Sequence, residues 1–203
     1  MARADPWSRL VEYADTHSGA LLLLQSTQLP DESLIHRAAT AAGIASHQLV
    51  ALVARTASLV GAIQVAGRTV EQVLVKMAYH GFDVRQVVWA RGVAPIPPPV
   101  QDEEVAMGRV NDSLLYGAEN QVWVEAHDTE LLELVPKLVF CNHAGSLYGK
   151  PFADIFRSFG SNWFNVPPEI DSPAKVTVYN VASGRAFNAG RIDYHVLIRS
   201  FGV

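Results

Sequence analysis

Cysteine is nearly absent. Cys141 is the single one in 203 residues, so no internal disulfide can form, which fits a reducing cytoplasm. A basic excess is also missing: 16 Lys and Arg stand against 20 Asp and Glu, a formal charge of -4. That leaves no electrostatic footprint for nucleic acid. Apolar runs such as Ala20 to Leu24 fall far short of the ~20 residues that a membrane-spanning helix needs, so no membrane partner is expected. The start of the chain carries no apolar stretch of the kind found in secretory signals. Charged residues make up only 18% against 49% hydrophobic, which excludes a disordered or coiled-coil chain and supplies a sizeable core.

What is present alternates short apolar runs with amphipathic stretches, the pattern of an α/β (α+β) protein. A helical turn is expected around Trp7, Leu10 and Val11. Gly19 to Gln25 and Gln48 to Arg55 read as buried strands. Between them Pro30-Asp31-Glu32 opens a helix that Gly43 ends. One long helix is expected from about Gly61 to His80, with Ala66, Val70, Val73, Leu74 and Met77 at helical spacing and Gly81 just beyond its end. Gln86 to Ala90 reads as a third strand, so the order implies at least one βαβ unit.

The run Pro95-Ile-Pro-Pro-Pro99 cannot be helix or central strand, and a subdomain edge is expected near residues 95–101. After it come a short helix over Asp102 to Met107 and two strands, Ser113 to Tyr116 and Gln121 to Glu125, joined at Gly117 to Asn120. Asp128 is expected to cap a helix that Pro136 helps to stop. Pro151 to Phe159 reads as a short aromatic helix. Lys175 to Asn180 pairs with Arg185 to Ala189 as a C-terminal hairpin across Ser183-Gly184, and Asp193 caps a last helix. The expected architecture is therefore a mixed sheet with flanking helices and a C-terminal hairpin.

On the helix expected at Gly61, Gln64, Arg68 and Glu71 fall together on the face opposite the apolar stripe. An Arg and a Glu three apart can hydrogen-bond. As a solvated surface pair they would contribute little. The loop before them, Thr56 to Gly61, is small and apolar and suits close approach of a ligand. Cys141-Asn-His143 invites a metal or nucleophile reading, but a zinc site wants about four ligands and no second Cys exists, so no metal is expected. No phosphate-binding glycine motif occurs. Asn111-Asp112, expected just before a strand, would be a turn with side-chain-to-backbone bonds.

Several strings together resemble the methenyltetrahydromethanopterin cyclohydrolase family, the pterin-dependent one-carbon enzymes of methanogens and methylotrophs. They are Thr56-Ala-Ser-Leu-Val-Gly-Ala-Ile-Gln-Val-Ala-Gly-Arg68-Thr-Val-Glu71, Ala94-Pro-Ile-Pro97, Ala106-Met-Gly-Arg-Val-Asn-Asp112 with Tyr116-Gly117, Tyr148-Gly-Lys-Pro-Phe152 with Ile155-Phe156, and Ser200-Phe-Gly202. They occur in the family's order from Thr56 onward. The resemblance implies two α/β domains flanking a cleft, a cytoplasmic homotrimer, and neither metal nor redox cofactor, since tetrahydromethanopterin is the one-carbon carrier and the substrate. It carries catalytic roles to Arg68 and Glu71 and substrate contacts to Thr56, Ser58, Gln64, Asn111 and Asp112. It also implies that Met1 falls past the family's first part, so that residues 1–203 form the C-terminal part of a two-domain chain and a separate N-terminal half would complete the cleft. The alternative is a truncated member acting only as a binding or oligomerisation module.

Overall fold

The structure is a computed structural model that describes residues 16–203. The turn expected at Trp7, Leu10 and Val11 lies outside the described residues. The chain divides into two compact units, Met1–Arg55 and Thr56–Val203. The proline run at residues 95–101, expected to mark a subdomain edge, lies inside the second unit.

In the first unit, strand β1 (Ala20–Gln25), helix α1 (Glu32–Ala42) and strand β2 (Leu49–Ala54) form the expected βαβ unit. The strands pair in parallel, Ala20 against Leu49 through Gln25 against Ala54. Asp31 caps α1 by accepting the Leu34 N–H at 2.7 Å, and Gly43 closes it in the left-handed conformation. The strands are not buried on both sides as expected. Leu21, Leu23, Val50 and Leu52 are all more than half exposed, while the residues alternating with them are half-buried. Side chains on a strand alternate between faces, and among the described residues of this unit α1 is the only α-helix to cover a two-stranded sheet.

The second unit is built on a four-stranded sheet in the order β3 (Val87–Val93), β4 (Glu119–Val124), β5 (Lys175–Asn180), β6 (Ala186–Gly190). The β3–β4 and β5–β6 pairs are antiparallel and β4–β5 is parallel. The third expected strand therefore belongs to a different sheet from the first two. The hairpin formed by β5 and β6 stands where expected. Its tip is pinned by Asp128, whose carboxylate accepts from Asn180 and Ser183, both at 2.7 Å, and from Arg185 at 3.2 Å. Asp128 is thus the first residue of helix α5 (Asp128–Leu134) rather than its cap, and the chain continues through Pro136 as a 3-10 turn, where the missing proline N–H is tolerated.

The segment expected as one long helix is two, α2 (Leu59–Ala66) and α3 (Thr69–Tyr79), broken at Gly67-Arg68. The restart of α3 is held by a buried exchange: Asn120 Nδ2 donates to Thr69 Oγ1 at 2.9 Å and Thr69 donates back to Asn120 Oδ1 at 3.2 Å. A Cβ on Gly92 of β3 would stand 2.4 Å from Asn120 Oδ1 and 2.5 Å from Thr69 Cγ2. Only glycine lets the helix start close onto the sheet here. Beyond it, Val73 and Met77 of α3 pack with Val122, Val124, Val176 and Val178, and Leu131, Leu134 and Leu138 complete that core. On the opposite face of the sheet Trp89, Trp123 and Tyr179 stack as a cross-strand ladder with ring centroids 4.6 and 4.7 Å apart.

The short helix and hairpin expected after the prolines are replaced by one 15-residue helix, α4 (Glu103–Gly117), which leads almost directly into β4. Asp102 caps it, accepting from Val105 at 2.9 Å. The polar and aromatic residues that read as strand are satisfied by tertiary partners. Ser113 donates to the Pro95 carbonyl, and Tyr116 donates to the Lys150 carbonyl at 2.6 Å. Gly117 read as a turn signal, but a Cβ there would sit 2.7 Å from the Pro95 ring, so its role is close packing of the proline run on α4. Helices α6 (Phe152–Ser158) and α7 (Tyr194–Phe201) form a second core with α4 around Leu115, Tyr116, Phe140, Ile155, Val196 and Leu197.

Candidate active site

The run from Thr56 to Glu71 folds as loop, helix, junction and helix start within the second unit. In the loop, the Thr56 carbonyl accepts the Ser58 N–H at 2.7 Å and Ala57 N donates to the Glu103 carboxylate at 3.2 Å. Ser58 caps α2, its hydroxyl oxygen accepting from Gly61 at 3.0 Å. Gln64 is half-buried on α2, one turn before Arg68. The helix break falls between Gln64 and the Arg68–Glu71 pair, so the three do not share one continuous helix face as expected.

Arg68 and Glu71 do meet. Arg68 Nε donates to Glu71 Oε2 at 2.8 Å and Nη2 to Oε1 at 2.5 Å, a two-pronged pair. The two side chains are 59% and 55% exposed, so a solute can reach them. The hydrogen bonds from Arg68 hold the Glu71 carboxyl below its usual range, and the same bonds raise Arg68. Glu71 is also the third residue of α3, where the helix N-terminus favours negative charge. The result is a carboxylate whose ionised form is favoured and whose orientation is fixed by Arg68.

Asn111 and Asp112 lie in the middle of α4, not before a strand. Asn111 donates to the Met107 carbonyl at 2.9 Å. Asp112 is almost wholly buried and accepts from Phe152 N at 2.7 Å and from Ser200 Oγ at 2.6 Å. Pro151 supplies no cap for α6, so Asp112 caps it from a neighbouring helix while holding α7 as well. Burial pushes the Asp112 carboxyl up to about 7 against the pull of those two bonds. The structure thus commits the Asp112 oxygens to helix packing rather than to an open site.

Residues that sequence reading passed over crowd the same helix as Glu71. Gln72 Nε2 donates to Asp171 at 2.7 Å. Lys76, 2% exposed, donates to the carbonyls of Pro168 at 3.1 Å and Glu169 at 2.8 Å, and Tyr79 donates to the Glu169 carboxylate at 2.5 Å. Positions 72, 76 and 79 share a helix face, so the segment 168–171 is strapped along α3. Their helical spacing was readable; their partners, some ninety residues on, were not. Burial lowers Lys76 to about 8. At that end of α3 a cavity of about 310 Å³ is lined by Lys76, His80, Lys137, His143 and Glu169 among others.

Cys141 and His143 do not form a reactive pair. The Cys141 thiol faces Asn142 Oδ1 at 3.5 Å, and His143 Nε2 bonds the Glu169 carbonyl at 2.5 Å. Among the described residues no group of three or more His, Cys, Asp or Glu side chains is placed to hold a metal ion.

Comparison with known proteins covers almost the whole chain. The family model described as Cyclohydrolase (MCH) matches residues 1–201. A methenyltetrahydromethanopterin cyclohydrolase of Methanocella arvoryzae is 37% identical over 193 residues, 95% of this chain and 59% of that protein. Proteins of the same name from Methylobacillus flagellatus and Rhodopirellula baltica are 34% and 37% identical, over 94% and 91% of this chain and 58% and 55% of their own lengths. The chain spans a little under three-fifths of the length of these relatives. These matches carry no argument for a separate N-terminal half.

Proposed function

The chain belongs to the cyclohydrolase (MCH) family, and on that premise we propose that it hydrolyses the methenyl bridge of 5,10-methenyltetrahydromethanopterin to the N5-formyl form, reversibly, in pterin-linked one-carbon metabolism. The observation that supports this most is the exposed, doubly hydrogen-bonded Arg68–Glu71 pair at the start of α3.

The methenyl bridge is a delocalised amidinium cation with an electrophilic carbon. Water adds to that carbon as Glu71 takes one of its protons; such general-base assistance is worth roughly 10²–10⁴-fold. The tetrahedral adduct collapses with cleavage of the C–N10 bond. Glu71 returns its proton to N10, the hydroxyl proton leaves to solvent as the formyl C=O forms, and one proton is released overall. Arg68 keeps Glu71 ionised and aimed, and the carboxylate attracts the cationic substrate. The water, the carbon and the proton are all handled without a metal or redox cofactor, the pterin being carrier and substrate in one. Thr56, Ser58 and Gln64 belong to this reading as contacts on the loop and helix that lead into Arg68. So do a homotrimeric assembly and a cytoplasmic location.

The test is the initial rate of methenyl consumption, followed by its ultraviolet absorbance, with the 203-residue chain. Turnover well above the spontaneous hydrolysis rate is expected. A folded chain giving only the spontaneous rate would overturn the reading.

A further inference from the structure

The hydrolytic step uses Glu71 and Arg68 but leaves a second carboxylate beside them unassigned. Gln72 follows Glu71 in sequence and stands one helical turn beyond Arg68, buried at 7% exposure. Its Nε2 donates to Asp171 Oδ1 at 2.7 Å. A carboxylate only accepts, so this bond fixes which way the amide faces. Gln72 Oε1 is left buried with no hydrogen-bond partner.

Asp171 itself is exposed. Its backbone is held in a turn, Asp171 N donating to the Pro168 carbonyl at 3.2 Å, and Lys76 and Tyr79 fasten that turn to α3. The Asp171 charge also reaches Arg68 and is one of the influences that raise its pKa, after the Glu71 hydrogen bond. A solvent-facing carboxylate therefore stands beside the catalytic pair on a rigid support. One oxygen is oriented by Gln72 and the other is open.

We propose that Asp171, positioned by Gln72, binds the amino-pyrimidinone edge of the pterin ring. This rests on the cyclohydrolase reading of Arg68 and Glu71. That edge presents a ring N–H and an exocyclic amine side by side, a planar fork of two donors that a carboxylate accepts in two parallel bonds. It lies at the far end of the bicycle from N5, where the methenyl bridge is attached. An acceptor separate from Glu71 is thus needed to hold the ring so that the bridge meets the base. Gln72 is the residue after Glu71, about 1.5 Å further along α3 and about 100° around it, so the carboxylate it holds is separate from the base and has the right chemistry for that edge. Gln72 keeps the carboxylate from swinging onto Arg68, where it would compete with Glu71.

The test uses two readouts on the full 203-residue chain. Asp171→Asn keeps an oxygen for Gln72 but replaces the second acceptor with a donor. It should raise KM for the methenyl substrate at least tenfold while kcat changes less than threefold. Titration with 6-methylpterin, followed by its fluorescence, should show a matching loss of at least tenfold in affinity. Gln72→Leu, which leaves the carboxylate in place but unaimed, should show a smaller loss in the same direction. Glu133→Gln, on the exposed side of α5, controls for removal of a surface charge and should leave 6-methylpterin binding unchanged. Melting curves confirm that each variant is folded. If the wild type turns over and Asp171→Asn keeps KM and 6-methylpterin affinity within twofold, the subsite is wrong and the hydrolytic reading stands. If the wild type fails to hydrolyse the methenyl substrate but binds 6-methylpterin in an Asp171-dependent way, the subsite stands and the hydrolytic reading falls. If 6-methylpterin does not bind the wild type, the subsite is overturned regardless of turnover.

Discussion

Two carboxylates on successive helices, Glu71 at the start of α3 and Asp112 in the middle of α4, are shifted in opposite directions. Glu71 is exposed, paired with Arg68, and held below its usual range. Asp112 is buried, bonded by an N–H and an O–H, and pushed up to about 7 by burial. The same functional group is an exposed ion pair, the proposed reagent, in one place and a structural staple in the other. The difference lies in what surrounds it: a guanidinium and solvent for Glu71, two neutral donors and a closed core for Asp112. The resemblance gave both residues roles at the substrate. The geometry leaves Glu71 open to solvent and places the Asp112 oxygens in the packing of α6 and α7.

The largest expected effect separates the two roles by activity. Glu71→Gln keeps the shape and the chance of a hydrogen bond to Arg68 but cannot take a proton from water. Hydrolysis should fall by about 10²–10⁴-fold with an unchanged melting curve. Retention of more than a tenth of the rate would return the pair to the status of a surface ion pair.

Asp112 should instead respond through stability. Asp112→Ala leaves the Phe152 N–H and the Ser200 hydroxyl without their acceptor, a loss of about 1–3 kcal/mol in denaturant unfolding. Its pH dependence has a definite sign. The folded-state pKa, about 7, lies above the unfolded value of about 3.9. The native state therefore holds the proton more tightly, and the contribution is full below the unfolded pKa and is lost as pH rises from about 4 to about 7. Glu71 runs the other way: its folded pKa is lowered, so its contribution is present above the unfolded pKa and is lost as pH falls through the folded one. The non-ionising Asp112→Asn should flatten the stability profile between pH 4 and 7, measured by urea unfolding across that range. A profile that keeps the wild-type slope would remove Asp112 as its source.

A comparable loss is expected where α3 starts. Gly92→Ala drives a methyl into Asn120 and Thr69, so the restart of the helix must shift; overpacking of this kind typically costs about 1–3 kcal/mol. Because that restart positions Arg68 and Glu71, the rate should fall along with stability. Unchanged stability would mean that the junction yields more easily than its contacts imply. The smallest effect belongs to Cys141→Ser. With the Cys141 thiol bonded to Asn142 and His143 engaged with Glu169 and Ser172, most activity should remain, and metal analysis should find no stoichiometric zinc.

Local signals were legible in the sequence and long-range ones were not. The βαβ unit of the first unit, with Asp31 and Gly43 at the ends of α1, follows from caps and apolar runs a few residues long. The β5–β6 hairpin and the Asp193 cap of α7 follow in the same way. The Arg68–Glu71 pair was legible because residues three apart meet on a helix whether or not it is broken just before them. Ser113 and Tyr116 were misread as strand because their hydroxyls are satisfied by Pro95 and Lys150, partners that no local pattern displays. Gly117 was misread, and Gly67 passed over inside the expected long helix, for a related reason. Glycine marks a turn, a close approach or a helix end, and only the packing decides which. Asp171 could not be tied to Gln72 at all, since ninety-nine residues separate them.

The claim that Arg68 holds Glu71 as an ionised base is tested most directly by the pH dependence of kcat/KM, measured from the lowest pH at which the fold survives up to about pH 8, for the wild type and Arg68→Gln. With the guanidinium present the acid limb should lie below the ordinary glutamate range. Without it the limb should move upward in pH as the rate drops. An acid limb at the same pH in both proteins would contradict the account, because Glu71 would then not be the titrating base that Arg68 controls.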